Sequence, residues 1–356
     1  SLLSNKGFKT ALFTSSFSHF YGYQRGFKNK VLKNYVVNFC FASSYTRKSI
    51  FRRIFSQIIF SISLLIKICC FRPQIIFASY PHSFSLIAIT FLKPFLKFKL
   101  IIDIRDSLKQ PSENLLARIY YRMEKLLAFI WVLNSNIITG PGERVFLYLP
   151  SKLKLKAQER YINIPMTYEN NFLNKNLVSK ERNNFIFIGS LSKAFDLENL
   201  IDYLIKKDDN FNFWILGDGP FLEKYKIKYN SQKNIKFLGQ VGFKTIKLYA
   251  AKSKFGLMPY SEKDNRFAYH LTNKLGEYLS FGILPLIPNH CHEMSSFVRK
   301  NSCGVVYDSK NLSNFLDKLI YKNKNNSSFY LQSIHKKYLS HQSLVNSINT
   351  LIKEII

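Results

Sequence analysis

The chain has 356 residues, more than one ordinary domain holds, so two domains of roughly 150–200 residues each are expected. An apolar content of 47% excludes a mainly disordered chain. With 52 Lys and Arg against 22 Asp and Glu, the formal charge is +30, which calls for an anionic partner: a phosphorylated substrate, an anionic membrane surface or nucleic acid.

Five Cys without regular spacing offer no disulfide framework and fit a reducing compartment. The charge is uneven. Through Arg160 there are 25 basic and 6 acidic residues, net +19, against 27 and 16, net +11, in the remainder. An anionic surface or acceptor is therefore expected to meet the first half, unless the abundance of Lys reflects the composition of the source.

The chain opens as a short helix end, then Gly7, then the strand-like run Thr10-Ala11-Leu12-Phe13-Thr14; the pattern of a secretory signal is not found. Residues 50–71 have helical periodicity, with Phe51, Ile54, Phe55, Ile58, Ile62 and Leu65 along one stripe and Arg52, Arg53, Gln57 and Ser63 largely elsewhere. Gln57 and Lys67 interrupt the apolar run, so it is not expected to reach the roughly 18 uncharged residues of a spanning helix. Arg47, Lys48, Arg52 and Arg53 cluster at its start. An exposed stripe makes this an interfacial helix; a covered one makes it a core helix with a basic rim.

Two apolar strands follow, Gln74-Ile75-Ile76-Phe77-Ala78 and Leu100-Ile101-Ile102-Asp103-Ile104, with a buried helix around Phe84 to Phe91 between them and Pro94 interrupting it. Strand, helix, strand is a βαβ unit. Ligands bind beyond the carboxyl ends of such strands, which singles out His82, Arg105 and Asp106; Asp103 reads as a loop cap. A third strand is Asn136-Ile137-Ile138-Thr139-Gly140, after a helix containing Leu126, Leu127 and Trp131.

The second half restarts with Phe185-Ile186-Phe187-Ile188-Gly189 and a helix from about Leu197 to Ile205, with Asp196 as a possible N-cap. Strands at 211–216, 234–239 and 255–259, with a helix at 245–251, give a second parallel-sheet domain. Neither the dinucleotide fingerprint nor the phosphate loop occurs, which argues against a nicotinamide enzyme or an ordinary nucleoside triphosphatase. In the segment 269–287, Thr272 can cap a helix ending at Gly282, before a strand at 283–287. Its first turn would offer backbone donors to an anion, with Lys274 adding charge and Glu277 a carboxylate one turn on; the alternative is a solvent-facing ion pair. His290, Cys291, His292 and Cys303 supply too few convergent ligands for a zinc site. The last 40 or so residues are helical, with Leu344, Val345, Ile348, Leu351, Ile352 and Ile355 on one stripe.

These fragments, in this order, resemble glycosyltransferase family 4. From Phe185 onward the chain is similar to the donor half of those enzymes: Phe185-Ile186-Phe187-Ile188-Gly189, Leu216-Gly217-Asp218-Gly219-Pro220, Asn234-Ile235-Lys236-Phe237-Leu238-Gly239, and the run from Asn273 to Gly282. Pro73-Gln74-Ile75-Ile76 and Asp103-Ile104-Arg105-Asp106-Ser107 resemble the acceptor domain of the branch that builds bacterial surface polysaccharides. The resemblance implies the α/β GT-B fold, two Rossmann-like parallel-sheet domains facing a central cleft. It implies an acceptor-binding domain at 1–170 lacking its first strand, which would precede Ser1, a nucleotide-sugar domain at 171–320, and helices at 321–356 crossing back to the first.

The resemblance further implies a retaining transfer from a nucleotide diphosphate sugar to a hydroxyl of a lipid-linked saccharide or of a lipopolysaccharide or capsule precursor. The setting would be the cytoplasm, peripheral on the inner face of the membrane, with no bound cofactor or metal and no specific nucleic acid. Glu277 matches the second glutamate of the family's pair, which holds the ribose hydroxyls; Tyr269 stands where the first would be, and Asn273-Lys274 matches a pair common in the related branch. Ser190 replaces an arginine that commonly holds the diphosphate, leaving Lys193 and Lys274 for that role. Gly189, Gly217 and Gly219 would either let the donor approach the backbone or serve as plain turn residues. Arg105 stands where many members carry a cleft histidine and would clamp a phosphate or orient the sugar, with His82 and Asp106 facing the acceptor. A basic nucleic-acid-binding protein and a sugar-nucleotide epimerase of the same architecture are the alternatives.

Overall fold

A computed structural model describes residues 7–18, 23–24, 29–32, 35–45, 50–80, 83–105, 115–168, 184–207, 211–312, 315, 319 and 327–355. The chain divides into two compact units: Ser1–Gly140 with Phe146–Ile162 and Glu354–Ile356, and Pro141–Val145 with Asn163–Lys353.

In the first unit, β1 (Ala11–Ser15) runs parallel to β5 (Tyr35–Cys40), whose other edge pairs antiparallel with β4 (Lys30–Leu32); β2 (Phe17–Ser18) and β3 (Tyr23–Gln24) form a separate hairpin. A second sheet has the order β6 (Ile75–Tyr80), β7 (Lys99–Ile104), β8 (Ile137–Gly140) and β9 (Tyr161–Asn163), with β6, β7 and β8 mutually parallel. Leu100 to Ile104 are buried without a break, as a strand covered on both faces requires. The expected βαβ unit is present, through α2 (Ser83–Leu96), but Pro94 does not stop that helix: it sits in the last turn, and the helix continues to Leu96. α3 (Leu115–Asn134) buries Trp131, whose ring lies 5.3 Å from that of Tyr80. β5, the central strand of its sheet, was not anticipated from sequence.

α1 (Ile50–Phe71) corrects a second expectation. At 22 residues it is about 33 Å long. Phe51–Phe71 is long and apolar enough to cross a membrane by length and composition; its most apolar 18-residue stretch has a mean hydropathy of 2.1, and only 22% of that stretch is buried. The single charge of Lys67 does not shorten the apolar run as the sequence reading supposed.

The second unit is one six-stranded parallel sheet of order β12-β11-β10-β13-β14-β15, built from Asn184–Ile188 (β10), Phe213–Leu216 (β11), Ile235–Gly239 (β12), Ser253–Leu257 (β13), Leu284–Pro288 (β14) and Val305–Tyr307 (β15). The chain enters at the middle, winds outward to β12, then returns across β10 to start the other half at β13. That reversal is a topological switch point. α4 (Ser151–Glu159) precedes β9 in the first unit; in the second, α5 (Leu197–Lys207) turns Leu197, Leu200, Ile201 and Leu204 to the sheet and its charges to water, and α6 (Leu222–Lys228) and α7 (Phe243–Ala251) follow β11 and β12. At the centre of the core, the Phe185 ring meets Phe211, Phe213 and Phe255 at 5.0, 5.1 and 4.9 Å between centroids.

Helices Ser328–Tyr338 and His341–Ile355 close the chain; Ser327 caps the first by accepting the Tyr330 N–H at 3.1 Å. Along the second, Leu351 and Ile355 are buried and the rest of the predicted stripe is half-buried. The Ile355 carbonyl accepts from Lys99 Nζ.

Phe185→Ala removes the ring on which three aromatic neighbours close, and should lower stability by ~3–5 kcal/mol. Urea denaturation monitored by circular dichroism measures it; a loss below about 1 kcal/mol would mean that the cluster is not the keystone of this unit.

Candidate functional site

The site is built where β10 and β13 part. Their pairing runs only to Ile186 and Gly256. Beyond that point the ladder is continued by a side chain: Tyr278, on α8 (Asn273–Ser280), accepts the Ile188 N–H at 3.1 Å and reaches the Ile186 and Leu257 carbonyls at 3.2 and 3.1 Å. Its phenol is completely buried, and burial pushes its pKa well up, so the hydroxyl stays a neutral donor. Gly256 admits the ring, since a Cβ there would overlap it. Tyr278 thus fixes α8 against the carboxyl ends of the central strands.

One turn earlier on α8, Lys274 Nζ donates to the Ile188 carbonyl, at the very end of β10. The ammonium also lies 4.1 and 4.8 Å from the ring centroids of Phe187 and Phe195, over their negative faces. Burial lowers its pKa to about 7, with Glu277 opposing the shift. The lysine is therefore poised between its charged and neutral forms near neutral pH. Gly189 follows in the left-handed region at φ +150°, and a Cβ on it would strike Nζ.

Glu277 is half-buried, and its Oε1 accepts the Tyr168 hydroxyl at 3.1 Å. Burial raises its pKa, while Tyr168 and Lys274 pull it back. The Tyr168 backbone is itself anchored, its N–H donating to the Leu339 carbonyl at 3.0 Å. Tyr168 was not among the residues singled out from sequence.

The glycine turns have a structural duty. Gly217 has φ +146°, and a Cβ would overlap the Gly189 carbonyl; one on Gly219 would overlap that of Leu191. Leu191 N–H donates to the Asp218 carbonyl at 2.9 Å and Phe221 N–H to that of Leu191 at 3.1 Å, so the turns after β10 and β11 are sewn together. Thr272 holds the N-cap position of α8 but makes no side-chain cap. Its hydroxyl is taken by Tyr260, which donates at 2.9 Å, and contacts Met294 Sδ at 3.4 Å. The buried Tyr260 phenol needs an acceptor and wins that competition.

Gly189, Lys274 and Glu277 thus gather at the carboxyl end of β10, with Gly217 and Gly219 in the turns beside it, whereas Lys193 and Asn273 are exposed. In the first unit Arg105 Nε donates to Asp103, and Asp103 Oδ1 accepts from Thr139 Oγ1 at 2.7 Å. Asp103, read as a loop cap, is instead the buried partner of Arg105. His82 and Asp106 lie outside the described residues, as do Arg47 and Lys48. Tyr269 lies beside His292, the rings tilted and 5.6 Å apart between centroids. His290 Nε2 meets the Tyr260 carbonyl at 3.0 Å, Cys291 and Cys303 are buried, and no three His, Cys, Asp or Glu among the described residues could hold a metal. Sequence reading also passed over Glu293, whose buried carboxylate accepts the Glu143 N–H at 2.7 Å and pairs with Arg144 Nε at 3.0 Å.

Residues 182–322 match the family model described as Glycosyl transferases group 1. No curated protein matches. Among solved structures, sucrose-phosphate synthase from Thermosynechococcus elongatus is similar with a TM-score of 0.75 at 10% identity, over 99% of this chain and 90% of that one. Anabaena HepE in complex with UDP has a TM-score of 0.64 at 14% identity, over 89% and 86%. The lipopolysaccharide outer core galactosyltransferase WaaB in its apo form has 0.65 at 11%, over 90% and 85%. The chain has the GT-B fold, two Rossmann-like α/β units.

Tyr168→Phe deletes the donor that holds the Glu277 carboxylate, so the pKa of Glu277 should rise further. Carbon-detected NMR titration of labelled Glu side chains reads this; an unmoved Glu277 titration would remove Tyr168 from the site.

Proposed function

We propose that this chain is a glycosyltransferase that binds a nucleotide diphosphate sugar through the second unit and retains the anomeric configuration of the sugar it transfers. The observation that carries the reading is the placing of Lys274 and Glu277, one turn apart on one helix, at the switch point of a parallel sheet. The family-model match over 182–322 spans this whole arrangement and supports the same reading. So does the ligand of HepE, which was solved with UDP.

In this reading the diphosphate meets Lys274 and the turn at Gly189, with Lys193 as a second cation, and the ribose hydroxyls donate to Glu277. Asn273, at the first position of α8, borders the phosphates. A diphosphate beside a lysine of pKa about 7 draws a proton onto it, so the charge that stabilises the leaving group is completed by the donor itself. Glu277 is engaged with the ribose, which leaves it unavailable as a nucleophile. The bond from the anomeric carbon to the β-phosphate oxygen breaks, the acceptor oxygen bonds on the same face, and its proton passes to the departing phosphate. The acceptor is a hydroxyl of a lipid-linked saccharide or of a lipopolysaccharide or capsule precursor, as the resemblance to the surface-polysaccharide branch suggests.

Isothermal titration of the full chain with UDP-, GDP- and ADP-sugars tests this. One donor should bind saturably, and Glu277→Gln should weaken it by ~1.5–3 kcal/mol, a loss of ten- to a hundredfold, without changing the circular dichroism. Binding should take up protons as pH rises above about 7, because the free lysine loses its charge there while the bound one keeps it, so affinity falls with pH. Affinity flat from pH 6 to 9, or indifferent to Glu277→Gln, defeats the assignment.

A further inference from the structure

α1 is built inside out. Its serines and Lys67 face the protein: Ser56 Oγ donates to the Ser43 carbonyl at 2.7 Å, Ser63 Oγ accepts the Phe41 N–H at 2.9 Å, and Lys67 Nζ donates to the Phe39 carbonyl at 2.9 Å. Ser61 Oγ meets Ser85 Oγ of α2 at 3.0 Å, and Leu64 and Ile68 complete the inward side. The outward stripe is Phe51, Phe55, Ile58, Ile62 and Ile66, with Phe51 72%, Phe55 60% and Ile62 55% exposed. A helix on the surface of a water-soluble domain has the opposite arrangement.

α2 repeats it, with Ser83, Ser85 and Thr90 buried and Phe91 and Phe95 exposed, Phe95 to 81%. Between the two helices runs a groove of about 440 Å³ walled by Ile58, Ile62, Leu65, Phe84, Phe91 and Phe95. A continuous apolar surface of this kind marks a contact site.

Charge selects what makes the contact. The first 102 residues carry 15 Lys and Arg and no Asp or Glu; the first acidic residue is Asp103. Arg52 and Arg53 stand in the first turn of α1, Arg72 just beyond its end and Lys97 just beyond α2, all exposed. A second copy would bring the same basic excess against itself and so is disfavoured. An anionic bilayer satisfies both features, the stripe entering the acyl boundary and the basic rim meeting headgroups. Spanning is excluded for α1 as folded, because Ser56, Ser63 and Lys67 tie it to β5 and the segment after it, whose backbone could not follow into hydrocarbon.

We propose that the outward faces of α1 and α2 dock this chain flat on a bilayer containing anionic lipid. The inference rests on the first unit alone and stands whether or not the second binds a sugar nucleotide.

Vesicle flotation of the full chain tests it, with phosphatidylcholine vesicles alone and with phosphatidylglycerol added. The chain should float with the anionic vesicles, about tenfold less with neutral ones, and less at high salt. Phe55→Glu with Ile62→Glu should cut flotation about tenfold or more at unchanged circular dichroism. Should that pair disturb the fold, Phe55→Ser with Ile62→Ser serves in its place, with a smaller loss in the same direction. Failure of the parent chain to float, or equal flotation of a folded variant, overturns the proposal. Light scattering that shows a dimer which these substitutions dissociate, with no vesicle binding, assigns the face to a second copy instead.

Discussion

The second unit is organised around a cation held where a parallel sheet comes apart. Where the pairing of two parallel strands ends, backbone groups beyond that point have no partner strand, as at the switch point between β10 and β13. Here α8 supplies the cover: Tyr278 plugs the opening between β10 and β13, and Lys274 rests its ammonium on the last carbonyl of β10. Burial makes the charge costly, which is why the lysine pKa lies near 7 rather than well above it. A ligand of opposite charge would relieve that cost, which is the electrostatic basis of the diphosphate binding proposed above.

Much of this was legible in the sequence because the parallel strands are continuous apolar runs closed by glycine or a charge. Ile101 to Ile104, Phe185 to Ile188 and Phe213 to Leu216 were readable for that reason. β5 escaped because Asn38 breaks its short apolar run, which follows a Lys- and Asn-rich stretch, and β15 because three residues give no period to read. Lys274 and Glu277 could be picked out by their spacing on a helix. Tyr168 could not: it reaches Glu277 from 109 residues away, and only the folded chain brings them together. The same holds for Glu293 and its grip on Glu143 and Arg144.

Periodicity also identified the stripe on α1, but a helical wheel has no inside or outside until something packs against it. The deciding features were serines. In isolation they look like ordinary interruptions of an apolar run; in the structure they are the points at which the helix is fastened to the segment after β5 and to α2. Their small hydroxyls bond the facing backbone and α2 beside Leu64 and Ile68, while Phe51, Phe55, Ile58, Ile62 and Ile66 are left on the other side. The two units thus spend their hydrophobic residues differently, one on a closed core of phenylalanines and the other partly on its own surface.

The sewing of the turns after β10 and β11 has a mechanical consequence. With Gly217 lodged against the Gly189 carbonyl and Leu191 bonded on both sides, neither turn can shift while the other stays put. A side chain placed at either glycine would have to displace the facing backbone, whereas substitutions on α8 or at Tyr168 leave it intact. Diversification of such a protein would accordingly proceed by exchanging side chains on α8 and around Tyr168 while the glycine seam is kept.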